Sequence, residues 1–437
     1  MSIEVSEVFL QGSCDAMIMA WNLVDAVNKS EYFMDPVVVI NGVKIPRILF
    51  VDDMLEIIKS FTELRISNIG NEVFERTNRV ELKPCKCKAI CKNCVPEETE
   101  LDGAPLEIVD EHKYVGTIVS KEGRKSDLLK RMKDCKGVLN EVVEVSKTSG
   151  VSELRMKYVR MLINACFKSK FKHGCQVWDG FTKAEETKIN KLTPDTLKRT
   201  LEVPRSTPKS AVVHETGVVD MDLEIAMERV LLAVHVRKMD SSRIAKQLFD
   251  SMYLKKIPGF CTLVDEALDL LGINGLEFFD KISNERETIK DILIKIQHNR
   301  LVEEMLKLTK TDAMLLNFDY NGKMKDYLLK LPFHEAKMIF LIRTRMFPTK
   351  ANFPGRWSKS DMCPFCCGIE SDEHLFKCCG YMDLHEGQVE YRDFIKLDCS
   401  MEKLKNGARK LMKIYDRLNM VNEDKLFKIG DDGADDG

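Results

Sequence analysis

The chain of 437 residues has no apolar run near the roughly 18 residues that a bilayer crossing needs. Its first residues lack a charged start followed by an apolar segment, so a secretory signal is not expected either. Charge of one sign is also scarce. A formal net charge of -2 and a pI near 6.5 do not advertise nucleic-acid binding, although a balanced total can hide a local basic face. Fifteen cysteines, an odd and clustered set without a secretory signal, argue against a disulfide framework and for reduced thiols and metal sites. A cytosolic or nuclear location is therefore expected. What is present, 44% hydrophobic residues over this length, suits a globular protein of about three domains.

The N-terminal quarter mixes helix and strand signals. Met17, Met19, Ala20, Leu23, Val24 and Val27 trace one apolar helical face. Asn41-Gly42 separates two β-rich runs and predicts a hairpin. The strand Ile48 to Val51 then runs into Asp52-Asp53, with residues 54–58 returning, so both acids are expected in the turn. Adjacent carboxylates at a strand tip can share magnesium ions for phosphoryl or nucleotidyl transfer, although the same pair also suits a solvated turn. A helix through Leu64, Ile69 and Val73, a turn at Asp102-Gly103 and a strand over 112–119 complete an α+β pattern, an antiparallel sheet backed by helices. From Ser126 to about Lys330 the pattern is helical, with breaks expected at Gly150, Pro194, Pro204, Pro208, Pro258 and 272–275. Phe333 to Met346 forms another helix, and the acidic, Gly-rich Asp431 to Gly437 is expected to be disordered.

Two local features carry chemistry. Between Val151 and Ser210, thirteen Lys and Arg face six Asp and Glu, a local charge of about +7. The aromatics among them, Tyr158, Phe167, Phe171 and Trp178, are read as core at helical spacing, leaving the cations for phosphate contacts. Nearer the C-terminus, Cys363-x2-Cys366 precedes His374 by eight residues, and Cys378 or Cys379 follows, a set that could close a tetrahedral zinc site. Cys367 could stand in for Cys366. A second group, Cys85, Cys87, Cys91 and Cys94, permits four-thiolate ligation if Cys85 and Cys87 share one face of a strand.

Taken together, these segments resemble the reverse transcriptase of non-LTR retrotransposons. Phe50-Val51-Asp52-Asp53 resembles the aromatic-x-Asp-Asp turn of the palm, and Gly42-Val43-Lys44-Ile45 the strand leading to it. Gln11-Gly12-Ser13 is similar to the loop beside the incoming nucleotide, although Cys14-Asp15-Ala16 follows where the family has Ser-Pro. Leu82 to Cys87 resembles the segment whose lysine, here Lys86, lies near the leaving pyrophosphate; this accounts for the second cysteine group without a metal. Lys113-Tyr114-Val115-Gly116 resembles the primer-grip strand, and His173 to Trp178 and Leu201 to Pro208 resemble thumb segments. Their colinear order, ending in a knuckle whose last pair is spaced His-x3-Cys and so selects Cys378, is more specific than any one match.

The resemblance implies a partial palm over 1–125, a helical thumb and connection over 126–330, a helix and zinc knuckle over 331–400, and a C-terminal helix and tail over 401–437. It further implies RNA-directed DNA polymerase chemistry on an RNA template and DNA primer, with Asp52 and Asp53 as magnesium ligands and Lys86 as general acid. Gln11, Gly12, Ser13 and Phe50 would contact nucleotide and template. The competing expectations are a non-enzymatic nucleic-acid-binding protein and a helical interaction protein with structural zinc. The family's other catalytic aspartate sits on a strand before the Gln-Gly loop, and only ten residues precede Gln11 here. Without that carboxylate two metals are underligated, so the purified chain is expected to incorporate no nucleotide in templated primer extension. Extension that Asp52→Ala abolishes would refute this.

Overall fold

The computed structural model describes all residues except 1–37, 41, 46–47, 51–52, 79–82, 124, 149–153, 179–181, 309–318, 357–359, 379–389 and 422–437. The early helical face and the acidic tail thus lie outside the described residues. Among those described, no helix is long and apolar enough to cross a membrane.

The architecture is mixed α and β. Strands β1 (Val38–Ile40) and β2 (Val43–Ile45) pair antiparallel as Asn41-Gly42 demands, and Gly42 takes a φ of +87° that an L side chain rarely adopts. Strands β3 (Ile48–Phe50) and β4 (Asp53–Leu55) pair with Phe50 opposite Asp53. Asp53 therefore opens the return strand rather than sharing the turn, because this register leaves only 51 and 52 between the strands. Helix α1 (Phe61–Asn78) follows, as its periodicity predicts. Strands β5 (Lys88–Ala89) and β8 (Glu107–Ile108) pair in parallel, enclosing the hairpin of β6 (Glu100–Leu101) and β7 (Ala104–Pro105) at Asp102-Gly103. Strands β9 (Glu111–Tyr114) and β10 (Thr117–Ser120) form one more hairpin where a single strand was expected. Val115 and Gly116 both take positive φ, +45° and +79°, the combination a two-residue hairpin turn requires.

Among the described residues these strands form five separate two-stranded ribbons, not the one antiparallel sheet the sequence suggested. Strands of two to four residues bury too little to hold together alone, and two of the ribbons are hydrogen-bonded to a helix. Asn68 of α1 donates from Nδ2 to the Glu100 carbonyl at 2.7 Å, and the Ile118 amide of β10 donates to Asp127 at 3.0 Å.

The remainder is helical: α2 (Lys125–Ser146), α3 (Arg155–Leu162) continuing through a π-helical turn (Ile163–Lys168) into α4 (Ser169–Lys172), α5 (Lys183–Leu201), α6 (Lys209–Thr216), α7 (Met221–Arg237), α8 (Ile244–Leu254), α9 (Phe260–Leu270), α10 (Glu285–Leu306), α11 (Asp326–Lys330) and α12 (Phe333–Arg343). Short helices α13 (Asp372–Leu375) and α14 (Tyr391–Lys396) precede α15 (Met401–Val421). Thr182 and Glu185 start α5 with a reciprocal capping box, and Glu202 ends it in the left-handed region at φ +53°. Pro194 does not break the chain as expected but lies within α5. Its ring removes one backbone bond, and the buried packing of Leu192, Thr193 and Leu197 around it keeps the helix continuous.

Two cores result. One gathers α2 to α6, α12, α14 and α15 and runs across the expected division at 330 and 331. The other gathers α7 to α10, with Met221 and Ile225 of α7 in the first and Leu223, Val230 and Val234 in the second. Phe167, Phe171 and Trp178 are fully buried in the first, with ring centroids 5.6 and 5.4 Å apart, whereas Tyr158, expected in the core with them, is exposed on α3 because it faces outward from that helix.

A charged cluster pins the first core. Glu215 of α6 accepts Nε and Nη2 of Arg343 of α12, both at 2.9 Å, and the Tyr327 hydroxyl of α11 at 2.7 Å. His214 Nδ1 meets the same carboxylate at 2.9 Å, and Arg343 Nη1 donates to the carbonyls of Phe394 and Ile395 in α14. Burial would push Glu215 up, but the Arg343 guanidinium and the His214 ring hold it well below the usual carboxylate range. A depressed native pKa adds stability that is complete above the unfolded value of about 4.3 and drains away as pH falls toward the native one. Glu215→Ala, which strands the Arg343 charge, is expected to cost about 3–5 kcal/mol in urea unfolding and to weaken the acid-side loss of stability below about pH 4. A cost under about 1 kcal/mol would refute the role given to this pair.

Candidate metal centre and basic surface

The knuckle is built from a short loop and one helical turn. Backbone bonds from Cys363 N to the Gly368 carbonyl at 2.6 Å and from Glu370 N to the Asp361 carbonyl at 2.8 Å close the loop, with Met362 and Ile369 bridged across it. Cys363 and Cys366 therefore point into one space. The Ser371 hydroxyl accepts the His374 amide at 3.2 Å and starts α13, and the bond from Cys378 N to the His374 carbonyl at 2.8 Å sets those two side chains one turn apart. A Cβ on Gly368 would lie 2.9 Å from His374 Cε1, so glycine is what lets the imidazole lie over the loop.

All four ligand atoms fall within 4.8 Å of one another. The Sγ atoms of Cys363 and Cys378 are 3.5 Å apart, those of Cys366 and Cys378 3.7 Å, and Cys366 Sγ is 3.2 Å from His374 Nε2. These spacings far exceed a disulfide bond of about 2.05 Å. They approach the edges of a tetrahedron with metal–sulfur bonds of about 2.3 Å and a metal–nitrogen bond of about 2.0 Å, roughly 3.8 and 3.5 Å. The four residues could thus hold a metal ion such as zinc. Cys363 and Cys378 belong to the main core, whereas Cys366 is exposed. A support not evident from spacing is Asn352, which donates from Nδ2 to the Phe347 carbonyl at 2.9 Å and to Asp372 at 2.8 Å, clasping α13 to the chain beyond α12.

Cys367 points to a different role from Cys366. It sits at φ +56°, its amide bonding the Cys363 carbonyl at 3.3 Å, and it is not part of the convergent set. Cys379 lies outside the described residues. The other cysteine group does not converge: Cys85 sits in a 3-10 turn (Pro84–Lys86), not on a strand shared with Cys87, because Pro84 fixes the turn that the Lys86 and Cys87 amides close at 2.8 and 3.0 Å.

The expected polymerase residues fare unevenly. Gln11, Gly12, Ser13 and Asp52 lie outside the described residues. Phe50 and Asp53 are cross-strand partners, and Lys86 is exposed in its 3-10 turn. The knuckle is the one convergent metal-ligand group among the described residues, so magnesium gains no support.

Two distant motif segments do meet. His173 Nε2 lies 3.0 Å from the Val115 carbonyl, and Arg131 donates to the Gly116 and Lys170 carbonyls at 2.7 and 2.9 Å. The Trp178 indole donates to Asp127 at 2.9 Å, and Arg229 reaches the Trp178 carbonyl. Cβ atoms on Gly116 and Gly174 would come within 3.1 Å of His173 and 2.9 Å of Thr117, which explains both glycines.

Much of the basic stretch is compensated in space. Arg155 pairs with Glu202 at 2.6 Å and Lys209 with Asp220 at 2.7 Å. Lys168 meets Glu224, and Lys172 meets Glu224 and Glu228 at 3.4 and 3.1 Å. Comparison with protein families and with curated proteins finds no match to this chain.

Metal titration separates the cysteines. Cys366→Ser and Cys378→Ser should each weaken zinc binding at least tenfold, whereas Cys367→Ser should bind like the parent chain, as read by competition with a chromogenic chelator. The reverse ranking would reassign the fourth ligand.

Proposed function

We propose that the chain derives from a non-LTR retrotransposon reverse transcriptase and binds nucleic acid through its helical body and a structural zinc knuckle. The observation that carries this reading is the colinear motif series, two members of which, around Val115 and His173, are joined by a hydrogen bond of 3.0 Å. With four protein ligands the knuckle leaves zinc no open position, so the metal acts as a staple. In the parent enzyme, Asp52 and Asp53 would hold magnesium and Lys86 would protonate departing pyrophosphate while an RNA template directs DNA synthesis. The second reading, a nucleic-acid-binding protein without polymerase activity, is favoured by the ribbons around Asp53, which among the described residues join no continuous sheet.

Binding through lysine and arginine releases counterions, so affinity for RNA or DNA should fall steeply as salt rises. Between about 50 and 200 mM salt a loss of tenfold or more is expected from a few phosphate contacts. Binding insensitive to salt, or absent, would overturn the reading and favour a protein-interaction role.

A further inference from the structure

A cleft of about 520 Å³ opens between α3–α4, α7, α10 and the segment around Gly322. Five of its lining residues are cations, Arg160, Lys168, Lys172, Arg286 and Lys290, against one lining carboxylate, Glu224. Beneath them the lining turns apolar: Val218, Val219 and Ile294 are partly exposed there, resting on buried Ile163, Met227 and Leu293.

The chain builds this arrangement through the π-helical turn. Arg160, Asn164, Lys168 and Lys172 lie four residues apart and all line the cleft. In an uninterrupted α-helix a row at that spacing drifts around the axis, since four residues exceed one turn of 3.6. The wider π turn over Ile163–Lys168 counters that drift, so one row keeps facing the same space. The cations are not equivalent. Lys168 and Lys172 are held by Glu224 and Glu228, and Arg286 reaches Glu228 at 3.5 Å. Lys290 pairs with Glu287 on the same exposed helical face, a contact worth little and easily exchanged. Arg160 makes no ion pair among the described residues, with its partial exposure inside the cleft.

Cations around an apolar floor suit a ligand that is anionic at one end and flat and apolar at the other. The volume suits a single small group. We infer that this cleft seats one unpaired nucleotide of a bound single strand, its phosphates on Arg160 and Lys290 and its base on the aliphatic floor. The inference rests on the nucleic-acid reading above and assigns it a place. A duplex keeps its bases stacked and cannot deliver one to the floor, so single strands should bind better. An aliphatic floor offers no donor or acceptor to read a base edge, which implies little sequence preference.

The test uses the full chain and a fluorescent single strand of about 12 nucleotides, within the usual single-strand site sizes. Arg160→Ala with Lys290→Ala should weaken binding about tenfold and make the salt dependence shallower by roughly 1.4 in log–log slope, two contacts at about 0.7 each. Lys183→Ala with Lys188→Ala, on an exposed face of α5 outside the cleft, should change affinity much less. If the parent chain binds and the cleft pair leaves affinity and slope unchanged, the cleft assignment falls while the nucleic-acid reading stands. If the parent chain does not bind, both fall. Should the cleft variant misfold, photocross-linking of a 4-thiouridine strand to the parent chain decides: adducts confined to 160–172, 286–294 or 322–324 support the seat, and adducts only elsewhere overturn it. Equal competition by duplex overturns it as well.

Discussion

The pairing of Glu215 with Arg343 is the constraint on which the largest core depends. The partners lie 128 residues apart, and burying either charge alone would cost several kcal/mol. The fold meets that cost by over-determining the carboxylate, with a guanidinium fork, a tyrosine hydroxyl and an imidazole converging on it. Arg343 then spends its remaining Nη1 donor on two carbonyls of α14. A hydrophobic contact could slide by an ångström at little cost, but this network cannot. It fixes α6, α11, α12 and α14 in one register, and Lys325 adds a backbone bond to the Glu215 carbonyl at 3.0 Å.

That register reaches the knuckle through a chain of contacts. Phe394, on the α14 turn that Arg343 grips, packs against Phe376 with ring centroids 5.4 Å apart, and Phe376 lies two residues before Cys378. Cys363, Leu375 and Cys378 are members of the same core. One side of the candidate metal site is thus set by the hydrophobic packing of the body, and the other, at Cys366, faces solvent. A metal held there would close the free end of a loop whose base is already placed, which is how a structural ion contributes most at least cost in order.

What the sequence makes legible here is what depends on neighbours in sequence. Asn41-Gly42 and Asp102-Gly103 mark their hairpins because a two-residue turn needs positive φ, and the spacing from Cys363 to Cys378 marks the knuckle because one loop and one helical turn supply all four ligands. Phe167 and Phe171 are identified as core because helical period places them on one face, whereas the same rule misses Tyr158, which is exposed, and Trp178 reaches the core from beyond the helix. Illegible were the features set by remote partners. Val115, a β-branched residue, would not be placed at φ +45° by any local rule; His173 and Arg131, from other elements, hold the carbonyls on that turn. Nor could local punctuation show that Pro194 would be carried through a helix, or that Glu215 and Arg343 would meet.

Charge shows the same division between sequence and space. A window from Val151 to Ser210 counts as strongly basic, but its acids of compensation, Asp220, Glu224 and Glu228, lie just outside it on or before α7. Folding brings them against Lys168, Lys172 and Lys209, so a tally along the chain overstates the free positive charge. What folding leaves is narrower and more directional. Cations from α3, α4 and α10 line one cleft, while two carboxylates of α7 hold its lysines in place. Those carboxylates lower the affinity that bare charge would give. In exchange they fix the lysine side chains, whose freedom would otherwise have to be lost when an anion binds.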